Sequence, residues 1–126
     1  MKRIRTGACI LLLLLAAGIF CSLSMQKIHR GISQQLRQAA QYAQNGQWQQ
    51  ACTQAQQARQ AWETARNMTA ATADHTPMDE IEGLFAQLEV YTTQQQPADF
   101  AATCLLLAKL TDAIGANHRL NWQNLL

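Results

Sequence analysis

An uncharged run from Thr6 to Met25 constrains the fold of this chain more than any other feature of its sequence. In an α-helix its length is about 30 Å, which matches the hydrocarbon core of a bilayer. Basic residues flanking a membrane segment favour the cytoplasmic side, and Lys2, Arg3 and Arg5 precede the run. The sequence therefore predicts an N-in, C-out protein of the cell membrane with three parts: a cytoplasmic tip (1–5), a transmembrane anchor (6–25) and an extracytoplasmic helical domain (26–126).

A cleaved signal peptide is the alternative interpretation of the same segment. Its most apolar part, Ile10 to Phe20, has the length of a signal-peptide core, and the small residues Ser22 and Ser24 follow. Cleavage near Ser24 would release a secreted domain. The anchor is favoured because apolar residues recur at helical spacing past the run, as in one helix that leaves the bilayer without a break. These residues are Met25, Ile28, Ile32, Leu36, Ala39 and Ala43.

Turn residues divide the remainder of the chain into three further predicted helices. Asn45-Gly46 ends the first long helix, since glycine readily adopts the left-handed conformation of a helix cap. The predicted helices run from near Gln47 to about Ala71, from about Pro77 to Gln94, and from Pro97 to about Ala116, where Gly115 and Asn117 close the last one. The predicted fold class is all-α: a transmembrane helix that continues into an antiparallel bundle of about four helices.

The predicted second helix contains few large apolar side chains. Alanines form most of its apolar stripe, and Trp48 and Trp62 are the main exceptions. Alanine buries little area, at roughly 25 cal/mol per Å², so this helix adds little to the core and a partner chain would help to stabilise the bundle. At helical spacing the two tryptophans are predicted to make core or partner contacts rather than a ligand cage.

One histidine and four carboxylates lie close together in "ADHTPMDEIEGLFAQL". Thr76 fits the N-cap of the third helix, followed by Pro77 at the first position and Asp79 at the third, as in a capping box. The helix dipole also favours acidic residues early in a helix. His75 has no second histidine one helical turn away, as many metal sites require. We therefore expect a structural helix start, with no metal and no cofactor.

The cysteines fall into two groups. Cys9 and Cys21 lie in the apolar run and are expected to behave as small hydrophobic residues. Cys52 and Cys104 follow the predicted anchor, in a compartment where a disulfide can form. A bridge between them and two buried free thiols both remain open. Thiol redox catalysis is disfavoured because the sequence has no CxxC pair.

The C-terminal segment "HRLNWQNLL" is apolar for a chain end, where segments usually fray unless they are packed. Trp122, Leu125 and Leu126 would each gain roughly 1.5–3 kcal/mol on burial. Asn124 could hydrogen-bond exposed backbone where the tail docks. We expect the tail to dock on its own bundle, with Trp122 in the gap left by the alanine-rich helix, or else to hold a partner protein.

Short motifs spread along the chain carry a family resemblance. They are Trp62, then "DHTPMDEIEGLFAQLEVY", then the terminal "LNWQNLL". In them the chain resembles the bacterial family catalogued as domain of unknown function 4363. The resemblance covers nearly the whole chain and implies a small, single-anchor membrane protein, with no activity attached. The positions that fall on the family pattern are His75, Ile81, Leu88, Asn124, Leu125 and Leu126.

Composition and motifs together predict a non-enzymatic interaction or accessory module for another envelope or membrane protein. A net charge of +2 with scattered basic residues argues against nucleic acid as a partner. The first alternative is a ligand-sensing bundle that signals through a partner. A hydrolase using Asp79, Glu80 or Glu82 is disfavoured, because the sequence has no serine–histidine–acid arrangement, metal spacing or phosphate loop.

Overall fold

The computed structural model describes the backbone of residues 1–69 and 75–125, and the side chains in those ranges except Ser22, 68–69, 75–77 and 117–125. The described ranges form an all-α bundle, which confirms the predicted fold class. Its helices are α1 (Lys2–Gln44), α2 (Trp48–Thr69), α3 (His75–Thr93) and α4 (Pro97–Leu125).

α1 is a single unbroken helix of 43 residues that contains both the apolar run and the first helix of the bundle. At 1.5 Å per residue it is about 65 Å long, roughly twice the hydrocarbon core of a bilayer. Large apolar side chains from Ile10 to Leu23 are exposed, whereas Ile32 and Leu36 are buried. The N-terminal part is long and apolar enough to cross a membrane, and none of its most apolar 18 residues is buried.

Successive helices run in opposite directions. Three-residue turns join α1 to α2 and α3 to α4, and Gly46 in the first turn has the positive φ of +79° predicted for a helix stop. Ion pairs join α2 to α3, with Arg59 opposite Glu89 and Arg66 opposite Glu82. Because the later residue of α2 meets the earlier residue of α3, these two helices are antiparallel. α2 and α4 are therefore parallel to each other, and both run opposite to α1.

The core is made from the apolar faces that helical periodicity predicts. The large buried side chains come mainly from α1, α3 and α4, whereas α2 buries alanines apart from Trp62 among its described side chains. The buried positions on these faces include Ile32, Leu36, Ala39, Ala43, Ala51, Ala55, Ala58, Trp62, Ala65, Ile81, Phe85, Leu88, Phe100, Cys104 and Leu107.

Neighbouring helices pack to very different extents. α1 packs most extensively on α4 and next on α2, α3 packs on α4, and α2 touches α3 at few points. Gly115 of α4 lies against His29 of α1, so close that an added Cβ would be 3.6 Å from His29 Cβ. The α2–α3 seam is the most open of the four neighbouring pairs.

The end of α4 differs from the sequence prediction. The helix continues to Leu125, so the predicted closure near Ala116, at Gly115 and Asn117, is wrong. Glycine inside a helix costs about 1 kcal/mol relative to alanine. Here Gly115 lies within the helix at its contact with α1, where an added Cβ would meet His29 at an ordinary van der Waals distance.

The start of α3 also differs from the prediction. The helix begins at His75, so Thr76 lies inside its first turn and is not the residue before it. Pro77 is compatible with this start because the first four N–H groups of a helix need no partner within it. The first turn holds no acidic residue, and Asp79 falls in the second turn, so the predicted capping box is wrong. The predicted end of the second helix, Ala71, lies outside the described residues.

Candidate functional site

The two tryptophans of α2 make aromatic contacts inside the bundle. Trp62 is 2% exposed, and its ring meets His29 edge-on with the ring centroids 6.3 Å apart. Trp48 is half-buried and meets Phe100 of α4 edge-on, with centroids 5.0 Å apart. Such pairs contribute about 0.5–1.5 kcal/mol beyond the area they bury. Both tryptophans therefore act as core contacts that tie α2 to α1 and α4.

Two buried polar atoms meet no hydrogen-bond partner among the described residues. They are Nε1 of Trp62 and Oε1 of Gln35. A buried donor without an acceptor costs about 1–3 kcal/mol relative to the same donor in water. The indole of Trp62 therefore contributes through its area and its ring contact rather than through its N–H group.

The acidic stretch at the start of α3 forms no cluster of metal ligands. Asp79 and Glu80 are exposed, and Glu82 forms an ion pair with Arg66 of α2. Among the described residues no group of three His, Cys, Asp or Glu side chains is placed to hold a metal ion. The side chains of His75 and Thr76 lie outside the described part. Glu82 thus has a structural role, in one of the two ion pairs that the structure describes between α2 and α3.

Cys52 and Cys104 are unbridged in this structure, the first half-buried on α2 and the second fully buried on α4. Each lies one helical turn after a member of the Trp48–Phe100 ring pair, and the two helices are parallel, so the thiols lie at the same level. Burial, together with the charge of Cys52, raises the pKa of Cys104 to about 12. Burial also raises the pKa of Cys52. Both thiols are therefore weak nucleophiles at neutral pH, and the bridge between them stays a prediction.

An open groove of about 460 Å³ follows the seam between α2 and α3. The buried residues Ala55, Phe85 and Leu88 line its apolar part. Amide, hydroxyl and charged side chains line the remainder, among them Gln56, Arg59, Gln60, Glu63, Glu89 and Thr92.

Arg59 spans this α2–α3 groove. Its Nη1 donates a hydrogen bond of 2.9 Å to Glu89 Oε2, and its Nε lies 3.6 Å from Glu63 Oε1. The hydrogen bond to Glu89 is the main reason that the pKa of Arg59 is raised, against the opposing effect of desolvation. The groove is therefore polar at its rim and carries both charge signs. Arg59 is the one cation among its described lining residues.

A second groove, of about 430 Å³, lies between α1 and α4 at the end of the bundle nearest the apolar run. At its far end Arg37 donates to Asp112 Oδ2 at 2.5 Å and to Ser33 Oγ at 2.7 Å. Its remaining lining residues are Gln26, His29, Arg30, Gln34, Gly115 and Ala116. This α1–α4 groove is lined mainly by polar side chains of α1 and by small residues of α4.

The predicted interaction residues of the tail lie outside the described side chains. α4 reaches Leu125, so Trp122, Asn124 and Leu125 belong to this helix rather than to a separate segment, and Leu126 lies outside the described residues. Docking of Trp122 against the alanine-rich α2 stays a prediction.

Besides Thr103, which is 8% exposed, three more deeply buried polar residues are absent from the sequence prediction. His29, Ser33 and Thr111 are at most 2% exposed. His29 Nδ1 lies 2.7 Å from the carbonyl oxygen of Met25, to which its N–H donates, and the Thr111 hydroxyl donates to Leu107 O at 2.7 Å. His29 and Ser33 adjoin the apolar stripe of α1 at helical spacing, and this spacing could have predicted that they are buried.

These features define a class of protein: a helical bundle whose first helix begins with a segment apolar and long enough to cross a membrane. The sequence profile of the family described as Domain of unknown function (DUF4363) matches residues 19–125. The match covers most of the chain, and the chain belongs to this family. No curated protein and no solved structure matches the chain.

Proposed function

We propose that this protein is a single-pass membrane-anchored module that lies outside the cytoplasm and binds another envelope or membrane protein without catalysing a reaction. The continuity of α1 carries the proposal, because its N-terminal part exposes apolar side chains and its later part forms the core of the bundle. With no linker between the two parts, the bundle is held at a fixed height above the bilayer. Rigid attachment of this kind suits a module that presents one surface to a neighbour in the same membrane.

The charges at the two ends of the apolar run support the N-in orientation. Lys2, Arg3 and Arg5 precede the run, and Lys27 and Arg30 follow it. Positively charged residues close to a membrane segment tend to stay cytoplasmic, and the larger group lies on the N-terminal side.

The α2–α3 groove is the surface that we propose for the partner. α2 touches α3 less than any other neighbouring pair, and two ion pairs supply the side-chain links between them that the structure describes. The glutamines at the rim, Gln56 and Gln60, are exposed and can donate and accept hydrogen bonds. A polar rim around an apolar centre is the usual anatomy of a protein interface.

Site-specific photocrosslinking in the native membrane tests this proposal. A photoreactive residue is placed at Gln56 or Gln60, and the matched control is Gln41, an exposed glutamine of α1 that does not line the groove. The expected result is a discrete adduct from the two groove positions and none from Gln41. Equal labelling at all three positions, or no adduct at any of them, contradicts the groove as a partner site.

A ligand-sensing bundle is the second candidate, and the size of the α2–α3 groove favours it. Its volume of about 460 Å³ is in the usual range for small-molecule sites, about 300–1,000 Å³. A sensor requires that a ligand change the stability or the partner contacts of the bundle. Thermal melts of the full chain in detergent, against small polar metabolites, would show a shift for wild type and a smaller one for Arg59→Gln.

A further inference from the structure

The cations of the bundle differ in whether they have a carboxylate partner. Arg37, Arg59 and Arg66 each form an ion pair. Lys27 and Arg30, which follow the apolar run, form no ion pair with any carboxylate that the structure describes. Two exposed cations next to the predicted membrane surface are therefore available to an anion from outside the chain.

Arg30 also lines the α1–α4 groove, which has a polar wall and a bare wall. Gln26, Arg30 and Gln34 are one helical turn apart, so they lie along one face of α1. On the side of α4 the described lining residues are Asp112, Gly115 and Ala116, and the last two add little or no side-chain volume. The groove thus offers one guanidinium and two amides in a row, each a hydrogen-bond donor.

Gln26 and Arg30 lie at the height of the headgroup layer of a bilayer, and Gln34 lies beyond it. The apolar run ends at Met25, so Arg30 lies about 7.5 Å further along the helix axis. The polar headgroup region on each side of the hydrocarbon core is about 5–8 Å thick. Side chains of a helix also tilt toward its N-terminus, which here is the membrane end, so Arg30 and Lys27 extend back toward the lipid.

We propose that the α1–α4 groove binds the phosphate group of an anionic lipid headgroup, with Arg30 as the main contact and Lys27 as a second cation at the same surface. This inference rests on the proposed membrane anchor. The planar guanidinium of arginine donates two parallel hydrogen bonds to a phosphate, and the amide of Gln26, one turn nearer the membrane, supplies further donors.

The one carboxylate of the groove does not oppose this binding. Asp112 lines its far end and is engaged by Arg37 at 2.5 Å. Arg37 lies seven residues beyond Arg30, about 10 Å along the axis, which is close to one Debye length at physiological ionic strength. A phosphate at Arg30 therefore experiences a positive local field. The Arg37–Asp112 pair, which is neutral as a whole, closes the far end of the groove to the headgroup.

Native mass spectrometry of the full chain, released from nanodiscs of equal phosphatidylcholine and phosphatidylglycerol, measures the preference. Wild type should retain phosphatidylglycerol over phosphatidylcholine, and Arg30→Gln should reduce that ratio about fivefold, the factor for one cation at an anionic surface. Arg30→Lys should fall between them. The matched control is Lys109→Gln, which removes an exposed positive charge of α4 outside the groove and should leave the ratio unchanged.

The other outcomes overturn the proposal, each in a distinguishable way. An equal ratio in wild type and Arg30→Gln removes Arg30 as the contact. Complete competition by millimolar inorganic phosphate in detergent would mean a site for a free anion instead of a lipid. Alkaline washing of the membranes beforehand separates the membrane anchor from the lipid site. If the chain washes off, both the anchor and the lipid site are overturned. If the chain is retained but shows no lipid preference, only the lipid site is overturned.

Discussion

The two halves of α1 are parts of one helix, yet they bury their side chains in opposite ways. In the N-terminal half the large apolar side chains from Ile10 to Leu23 are exposed, with Leu13 at 70%. In the C-terminal half a single stripe is buried, with Leu36 at 0% and polar residues on the opposite face. A helix that is apolar all round belongs inside a protein or a membrane, whereas a striped helix belongs at the edge of a water-soluble core.

This difference shows that the backbone of α1 does not reveal its surroundings and that the pattern of burial does. An exposed leucine forgoes roughly 1.5–3 kcal/mol that burial would provide. The N-terminal half carries leucines from Leu11 to Leu15, all at least 45% exposed. The bundle covers none of these side chains, and lipid is the surrounding that we propose for this half of the helix.

The largest expected effect of a substitution is at Trp62, which packs on His29 at the N-terminal end of the buried stripe of α1. Trp62→Ala should destabilise the bundle by about 3–5 kcal/mol, because it removes a large side chain from a site that only partly collapses. Trp62→Phe should cost less than half as much, since it keeps an aromatic ring and removes an N–H without a described acceptor. Urea unfolding of the full chain in detergent, followed by far-UV circular dichroism, measures both. Equal losses would mean that the indole N–H is satisfied in solution.

A matched pair of leucine substitutions tests the comparison of the two halves directly. Leu36→Ala should cost about 2–5 kcal/mol of bundle stability, because it opens a cavity in the core. Leu13→Ala removes the same atoms from the exposed half and should leave the unfolding midpoint of the bundle unchanged. A comparable loss in Leu13→Ala would place the N-terminal half inside a protein core.

The pH dependence of stability also separates the buried bundle from the exposed half of α1, because the thiol of Cys104 is buried whereas that of Cys9 is exposed. The pKa of Cys104 is raised from 9.0 to about 12, so between these pH values the folded chain keeps a proton that the unfolded chain loses. The contribution of Cys104 to the free energy of unfolding is fully present below about pH 9. It is lost as pH rises toward 12, at about 1.4 kcal/mol per pH unit. Wild type should therefore lose stability more steeply above pH 9 than Cys104→Ala. Parallel curves would indicate that Cys104 ionises freely in the folded state.

The smallest expected effect is at the ion pairs across the α2–α3 seam. Glu89→Gln removes the partner of Arg59, whose side chain is 41% exposed, and should cost about 0.2–1 kcal/mol, less at high salt. Glu80→Gln, an exposed carboxylate of α3 without a described ion pair, is the control and should change less. A cost for Glu89→Gln as large as that of Leu36→Ala would show that the seam is closed in solution.

Helical periodicity was enough to predict the fold class and most of the core. The apolar stripes, including Ile32, Leu36 and Phe100, lie where the spacing places them, because burial of one helix face depends mainly on local pattern. The role of Gly115 was not predictable in this way. Glycine usually marks a helix end, and here it lies within a helix beside His29, which is distant in sequence.

The two grooves were also beyond prediction from the sequence. Each groove lies between helices whose separation is set by the packing of the entire bundle. The sequence pattern therefore does not indicate that Arg59 meets Glu89, or that Gln26 and Gly115 line one groove. The predicted site residues fared differently from one another. Trp48 and Trp62 proved to be core contacts, whereas Asp79 is exposed at the start of α3 and has no metal-binding neighbours among the described residues.

The intact mass of the protein extracted from alkali-washed membranes tests the central claim, that α1 is at once a membrane anchor and a core helix. Because the buried stripe of α1 lies at and beyond residue 29, cleavage near Ser24 would leave the bundle complete but remove the anchor. We expect a retained chain that includes residues 1–25. A bundle recovered in the soluble fraction, with its mass starting near Met25, would contradict it.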